Sequence, residues 1–257
     1  MTSDSTGVNH GTLGVDPLPM LVDGKFGKAM QFDGNNFLYI PISFIVGFPP
    51  SPQPIYVPIS PALDIQNEIK IEAWINVQDF KNANYNNIVV KCTHPDSYWQ
   101  NASRVIGLAI RAGLPEDDVQ VVEGALSGFV LTDERGFSEV VTTEYVVPLN
   151  QWIHVAFTRT STGMHLYVNG YEQDVRAIHG VQNPTGKIVN GTEYYFGHDA
   201  LVTLDDVRIS DLAPQVAEAA FDIGPNIMKA VIVVSVVFAV SWLLRRVIQM
   251  LMIRPKM

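Results

Sequence analysis

The sequence holds one cysteine, Cys92, and a lone thiol excludes an internal disulfide and a cysteine-cluster zinc site. It has no acidic residue beyond Asp222. All 26 Asp and Glu stand at or before that position beside 12 of the 17 Lys and Arg, a formal charge of −14, and the remaining five cations follow without an anion. The acidic part lacks the clustered, aromatic-interleaved Lys and Arg that phosphate binding requires, which argues against nucleic acid as a partner. The opening "MTSDSTGVNHGTLG" has neither a basic start nor an apolar run, so it does not read as a signal peptide. His10, His94, His154, His165, His179 and His198 form no ligand pair at helical or alternate-strand spacing. No nucleophile elbow, phosphate-cradling loop or dinucleotide fingerprint is present.

What is there begins at the far end. Ala230 to Leu244 is fifteen residues without a charge, and Ile227 to Leu244 is eighteen if Lys229 snorkels. At ~1.5 Å per residue the longer run spans ~27 Å, enough for one membrane crossing. Trp242 stands where an interfacial aromatic belongs. Arg245, Arg246, Arg254 and Lys256 follow it, whereas Lys229 is alone on the other side. The positive-inside rule then puts the C-terminus in the cytoplasm and the acidic part outside, although the missing signal peptide opposes that orientation. The expected organisation is a domain over 1–210, a juxtamembrane helix or linker over 211–226 and one transmembrane helix with a short basic tail over 227–253. Ser235 and Ala239 form a small-xxx-small pair able to seat a neighbouring helix.

Before residue 211 the pattern is one of strands. Short alternating runs such as "IKIEAWINV" (69–77), "RVIGLAIRA" (104–112), "QWIHVAFTR" (151–159) and "TLDDVRIS" (203–210) are separated by Gly, Asn, Asp and Pro, as in an antiparallel sandwich or barrel. "SDLAPQVAEAAFDIG" (210–224) reads instead as a short helix capped by Ser210 or Asp211. Seven of the sixteen prolines fall between Pro41 and Pro61, and a residue without an N–H predicts an edge or an extended loop there. Phe44, Phe48 and Tyr56 make that segment apolar: either a flap over the end of the sandwich, or a contact surface for a subunit or lipid.

The stretches "GKFGKAMQFDGNNFLYIPIS", "SPALDIQNEIKIEAWIN", "QWIHVAFT", "LYVNG" and "LDDVRIS", taken together and in this order, resemble the laminin-G-like jelly rolls of the concanavalin A-like lectin/glucanase superfamily. The resemblance covers about residues 8–210. It implies an all-β fold, a two-sheet antiparallel jelly-roll sandwich with a concave face and rim loops. In "KIEAWIN", Ile71, Ala73 and Ile75 alternate with Glu72, Trp74 and Asn76, so one set faces the core. Asn169-Gly170 supplies the positive-φ pair of a tight turn.

The Glu-x-Asp-x-x-Glu strand of the family's glucanases is absent. In "PEDDVQVVE", Val121 stands where the last carboxylate is required, so no catalytic residue is assigned and the chain reads as a non-enzyme. Calcium is the one cofactor that the residues suggest: Asp4, Asp33 and Asp205 fall in the family's N-terminal, "FDG" and closing "DD" motifs. For a ligand, Tyr85, Tyr98, Trp99 and Asn101 supply aromatic faces among polar groups, as carbohydrate recognition needs. Two functions follow. One is a single-pass, membrane-anchored recognition domain outside the cell, binding glycan or a surface protein. The other is an accessory subunit of a membrane complex, with Phe44, Phe48, Tyr56, Ser235 and Ala239 as contacts; a polysaccharide-acting enzyme is the minor alternative.

Overall fold

The computed structural model describes residues 12–14, 18–35, 37–41, 63–80, 85–92, 104–113, 120–189 and 193–212. The apolar run from 227 onward, and with it Ser235 and Ala239, lies outside these residues. So do Asp4, Phe44, Phe48, Tyr56, Tyr98, Trp99 and Asn101. Among the described residues no helix is long and apolar enough to cross a membrane.

All regular elements in the described part are strands, apart from a single 3-10 position at Leu63. In chain order they are β1 (Thr12–Gly14), β2 (Met20–Asp23), β3 (Lys28–Asp33), β4 (Phe37–Pro41), β5 (Ile69–Asp79), β6 (Tyr85–Cys92), β7 (Arg104–Ala112) and β8 (Glu123–Thr132). Then come β9 (Gly136–Thr142), β10 (Trp152–Thr160), β11 (Gly163–Val168), β12 (Tyr171–Glu172), β13 (Val175–His179), β14 (Glu193–Phe196) and β15 (Leu201–Asp211). They build an eight-stranded sheet, β1-β4-β14-β6-β7-β8-β9-β13, and a seven-stranded sheet, β12-β11-β10-β5-β15-β3-β2, with every strand pair antiparallel. The expected two-sheet sandwich is therefore present.

The seven-stranded sheet follows the simple period-two rule. Along β5 buried and half-buried residues alternate without a break to Gln78, and Ile69, Ile71, Ala73, Ile75 and Val77 enter the core. Across the sandwich they meet Ile88, Leu108, Ile110, Leu126 and Val140 of the other sheet, with Phe157 of β10 in the same cluster. Phe157 lies over Gly128: a Cβ at that position would overlap its ring, so the glycine is what lets the two sheets approach.

Lys91, on β6, carries a charge into the core. Lys91 Nζ donates to the Leu63 carbonyl at 3.2 Å, stands 3.7 Å from Asp64 and lies 5.3 Å over the Tyr194 ring. Burial pulls its pKa below the ordinary lysine value, and Asp64 opposes that shift.

Proline behaves as its chemistry requires. Among the described residues β1 pairs with β4 up to Tyr39, and Pro41 pairs with Glu193 of β14. The proline segment from 42 to 60 is outside the described residues. At the other end the helix-cap reading needs correction. Ser210 and Asp211 pair with Lys70 and Ile69, and Leu212 N donates to Glu68 O, so extended structure continues through both proposed caps.

Candidate functional site

The two sheets differ on their outward faces. β6, β7 and β8 are buried along both faces, and the side that turns away from the core carries polar groups as well as Tyr85, Val90, Cys92, Ala109, Phe129 and Tyr195. A buried outward face with charges in it is not what a simple sandwich requires, and it marks the place where this chain departs from pure packing.

Register assembles the polar row. Tyr85 pairs with Arg111, Ser127 with Val141, Phe129 with Glu139, and Glu139 with His179, which brings one side chain from each of β6, β7, β8, β9 and β13 together. Glu139 is its hub and is fully buried. Its Oε1 accepts from Ser127 Oγ at 2.5 Å and from Arg111 Nη1 at 3.1 Å; its Oε2 accepts from the Tyr85 hydroxyl at 2.6 Å and lies 3.9 Å from His179 Nε2. The three bonds from Ser127, Arg111 and Tyr85 run to a charged partner in a site of low dielectric, the circumstance in which such bonds are strongest.

Tyr85, 4% exposed, is gripped on its ring as well. The Arg104 guanidinium lies 3.6 Å and the Arg111 guanidinium 3.9 Å from the ring centroid. Burial first, and the Glu139 charge second, push the Tyr85 hydroxyl far above its ordinary pKa, so it stays a hydrogen-bond donor. Phe129 meets Tyr85 edge-on at 5.9 Å and Phe137 at 5.8 Å. It reaches across β7 because Gly107 beneath it has no side chain to clash.

The sequence pointed to Tyr85 but missed Arg104, Arg111, Ser127, Glu139 and His179. Arg104 and Arg111 are seven residues apart, which in a regular strand puts them on opposite faces. Between β6 and β7 the register shifts: Lys91 pairs with Ile106 and Cys92 with Arg104, so Val105 is an extra residue and both arginines face outward. The charges that close the apolar run "RVIGLAIR" at both ends were the available signal.

Asp33 and Asp205, two of the three residues expected to gather a calcium ion, do not come together. Asp33 pairs with Leu201, and Asp205 lies four residues further along β15, roughly 13 Å at ~3.3 Å per residue. Asp205 Oδ2 instead accepts from Phe26 N at 2.7 Å and anchors the β2–β3 turn over Trp74, while Asp33 Oδ1 accepts from Asn35 N at 2.9 Å in its own turn. Among the described residues no group of three or more His, Cys, Asp or Glu is arranged to hold a metal ion.

Trp74, on the outward face of the seven-stranded sheet, is enclosed rather than open: Lys25 Nζ lies 4.8 Å over its ring, with Phe26 at 5.6 Å and His154 at 5.5 Å. His154 Nε2 also stands 3.3 Å from Glu72 Oε2. A small polar cavity of about 200 Å³ lies between the end of β9 and the segment that joins β12 to β13, lined by Thr142, Thr143, Glu144, Val146, Glu172, Gln173 and Asp174.

The family described as the concanavalin A-like lectin/glucanases superfamily matches residues 53–220. Among solved structures, domain 4 of AbnA, a GH43 extracellular arabinanase from Geobacillus stearothermophilus solved in complex with arabinotriose, aligns over 81% of this chain and 86% of its own. Its TM-score is 0.52 and its identity 17%. Domains LG4-5 of the mouse laminin alpha1 chain align over 77% of this chain and 44% of their own, at 16% identity and a TM-score of 0.46. No curated protein sequence matches the chain.

Proposed function

The chain belongs to the concanavalin A-like lectin/glucanases superfamily, and from that premise we propose that it is a saccharide-recognition protein whose ligand is received on the outward face of the eight-stranded sheet. The observation that carries this reading is the polar row centred on Glu139, which places two arginines, a tyrosine, a serine and a histidine on one sheet face. Ser127, Tyr85 and Arg111 donate to Glu139 and fix the row, which leaves the Arg104 guanidinium as the donor that meets a polyhydroxylated ligand. The arabinanase domain, which shares the fold, was solved with arabinotriose.

The protein recognises and does not hydrolyse. A glycosidase sets two carboxyl groups about the scissile bond, ~5 Å apart in the retaining class. Among the described residues of the row Glu139 is the only carboxylate, and both its oxygens are engaged. The apolar segment 227–253 tethers this domain to lipid, with the domain outside and the C-terminus in the cytoplasm.

Full-length protein in mild detergent, applied to a glycan array with calcium and with chelator, gives saturable binding to a defined set of glycans, and parallel reducing-end assays on the same glycans stay flat. Silence on the array in both conditions removes the saccharide reading; release of reducing ends removes the non-enzymatic one. A calcium requirement would call for donors beyond Asp33 and Asp205.

A second reading, an accessory subunit of a membrane complex, is favoured by one observation. Among the described residues β2 is the edge strand of the seven-stranded sheet, and Met20 and Leu21 in it, with Leu18 and Phe26 at its flanks, are all more than half exposed. Co-purification of a stoichiometric partner that is lost on Leu21→Asp would establish it.

A further inference from the structure

We propose that the saccharide received on this face is an acidic one, and that Arg104 is the residue that takes its oxyanion. This rests on the saccharide reading above and names the ligand class of the same site.

Four cations are buried among the described residues: Lys91, Arg104, Arg111 and Arg159. Three of them have oxygen acceptors. Lys91 has the Leu63 carbonyl and Asp64; Arg111 has Glu139; Arg159 donates to the carbonyls of Asn67, Pro184 and Gly186. Arg104 differs. It is 6% exposed, its Nε and Nη1 are fully buried, and neither has a hydrogen-bond partner. Its contact is with the Tyr85 ring, a π face that attracts the charge but accepts no directed bond from the guanidinium edge. The neighbouring carboxylate offers it nothing: Glu139 spends one oxygen on Ser127 and Arg111 and the other on Tyr85.

A guanidinium removed from water without an acceptor is among the costliest arrangements a fold can keep, and stacking recovers only part of that cost. The missing group is therefore an acceptor, and its charge is set by the guanidinium. A neutral hydroxyl would satisfy one N–H and leave the positive charge uncompensated, whereas a carboxylate or sulfate oxygen pair matches the planar fork and neutralises it. Tyr85 holds that fork in place beforehand, since its hydroxyl is fixed by Glu139 and its ring by Arg111 on the same row. The ligand thus meets a preorganised group rather than a free side chain.

The test uses full-length protein in mild detergent and an array that presents uronic-acid and sialic-acid glycans beside their carboxyl-reduced forms, with sulfated neutral glycans as a separate arm. The expected result is at least ten-fold tighter binding of the acidic member of a pair. Arg104→Met removes that preference, so that the acidic and the reduced member of a pair bind alike. Sulfated glycans that bind in an Arg104-dependent way assign the same oxyanion chemistry to sulfate. Equal binding of both members of every pair to the unaltered protein overturns the inference while leaving saccharide recognition standing, and this comparison needs no variant, so it holds even where Arg104→Met fails to fold. Absence of binding to any glycan, acidic or neutral, removes the underlying reading and this inference together.

Discussion

Glu139 shows most directly how one residue sets the character of its surroundings. It is a charged group at full burial, tolerated because three donors converge on it. Glu139→Gln leaves the Arg111 guanidinium buried without its counter-charge, and a loss of about 3–5 kcal/mol in unfolding free energy is expected by urea titration. Tyr85 and Tyr194 carry a second expectation. Burial raises both hydroxyl pKa values above the ordinary 10.0. Above that pH the unfolded chain releases protons that the folded one retains, so stability falls as pH rises, by up to about 1.4 kcal/mol per unit for each tyrosine. Lys91 works the other way just below its ordinary value, because its folded pKa is lowered and the folded state sheds its proton first. Comparing the unaltered protein with Tyr85→Phe cancels the lysine: their difference in stability is flat below pH 10 and slopes above it. A difference flat throughout would mean that Tyr85 ionises as freely folded as unfolded. Tyr85 was legible in the sequence as an aromatic among polar neighbours; its arginine partners were not, because the bulge at Val105 that turns Arg104 outward has no mark in composition.

At the scale of elements, local chemistry that depends on a few adjacent residues was readable and chemistry that depends on a facing strand was not. Asn169 and Gly170 do adopt positive φ, at 51° and 83°, and join Val168 to Tyr171 in a two-residue hairpin. The alternation of "IKIEAWIN" does place Trp74 away from the core. The glycines Gly107 and Gly128, by contrast, sit inside strands with no sequence signal of their purpose, since Phe129 and Phe157 reach them only through the sheet and the sandwich. The two kinds of glycine separate experimentally. Gly170→Ala introduces strain at positive φ in open space and costs about 1 kcal/mol. Gly128→Ala forces Phe157 out of its rotamer or the sheets apart and costs about 1–3 kcal/mol, with the larger drop in melting temperature. The failed cap at Ser210 and Asp211 belongs here too: serine and aspartate favour a helix start, but β5 offers them ladder partners at Lys70 and Ile69, and tertiary pairing prevails.

For the whole molecule, the order of motifs along the chain was enough to expect a two-sheet antiparallel sandwich, and the superfamily match agrees with it. What it left open was which face holds the chemistry. The apolar inward sets of both sheets look alike in sequence, and only the pairing of β6 through β9 shows that one outward face is buried and charged. Placement in the cell is decided at this scale. Protease shaving of intact cells is expected to remove the sandwich and leave a small lipid-held fragment; protection until the membrane is opened would reverse the orientation and favour the subunit reading.

β15 gives the fold a mechanical property. It is the last described strand, yet it lies inside its sheet, paired along its length with β5 and over Leu201 to Leu204 with β3. Force drawn through the chain beyond Leu212 enters at Asp211 and loads an interior strand, whose ladder must be sheared along many bonds, instead of an edge strand that peels one bond at a time. A domain held by that end keeps its eight-stranded sheet intact under tension, until the load is large enough to extract the strand on which both halves of the seven-stranded sheet depend.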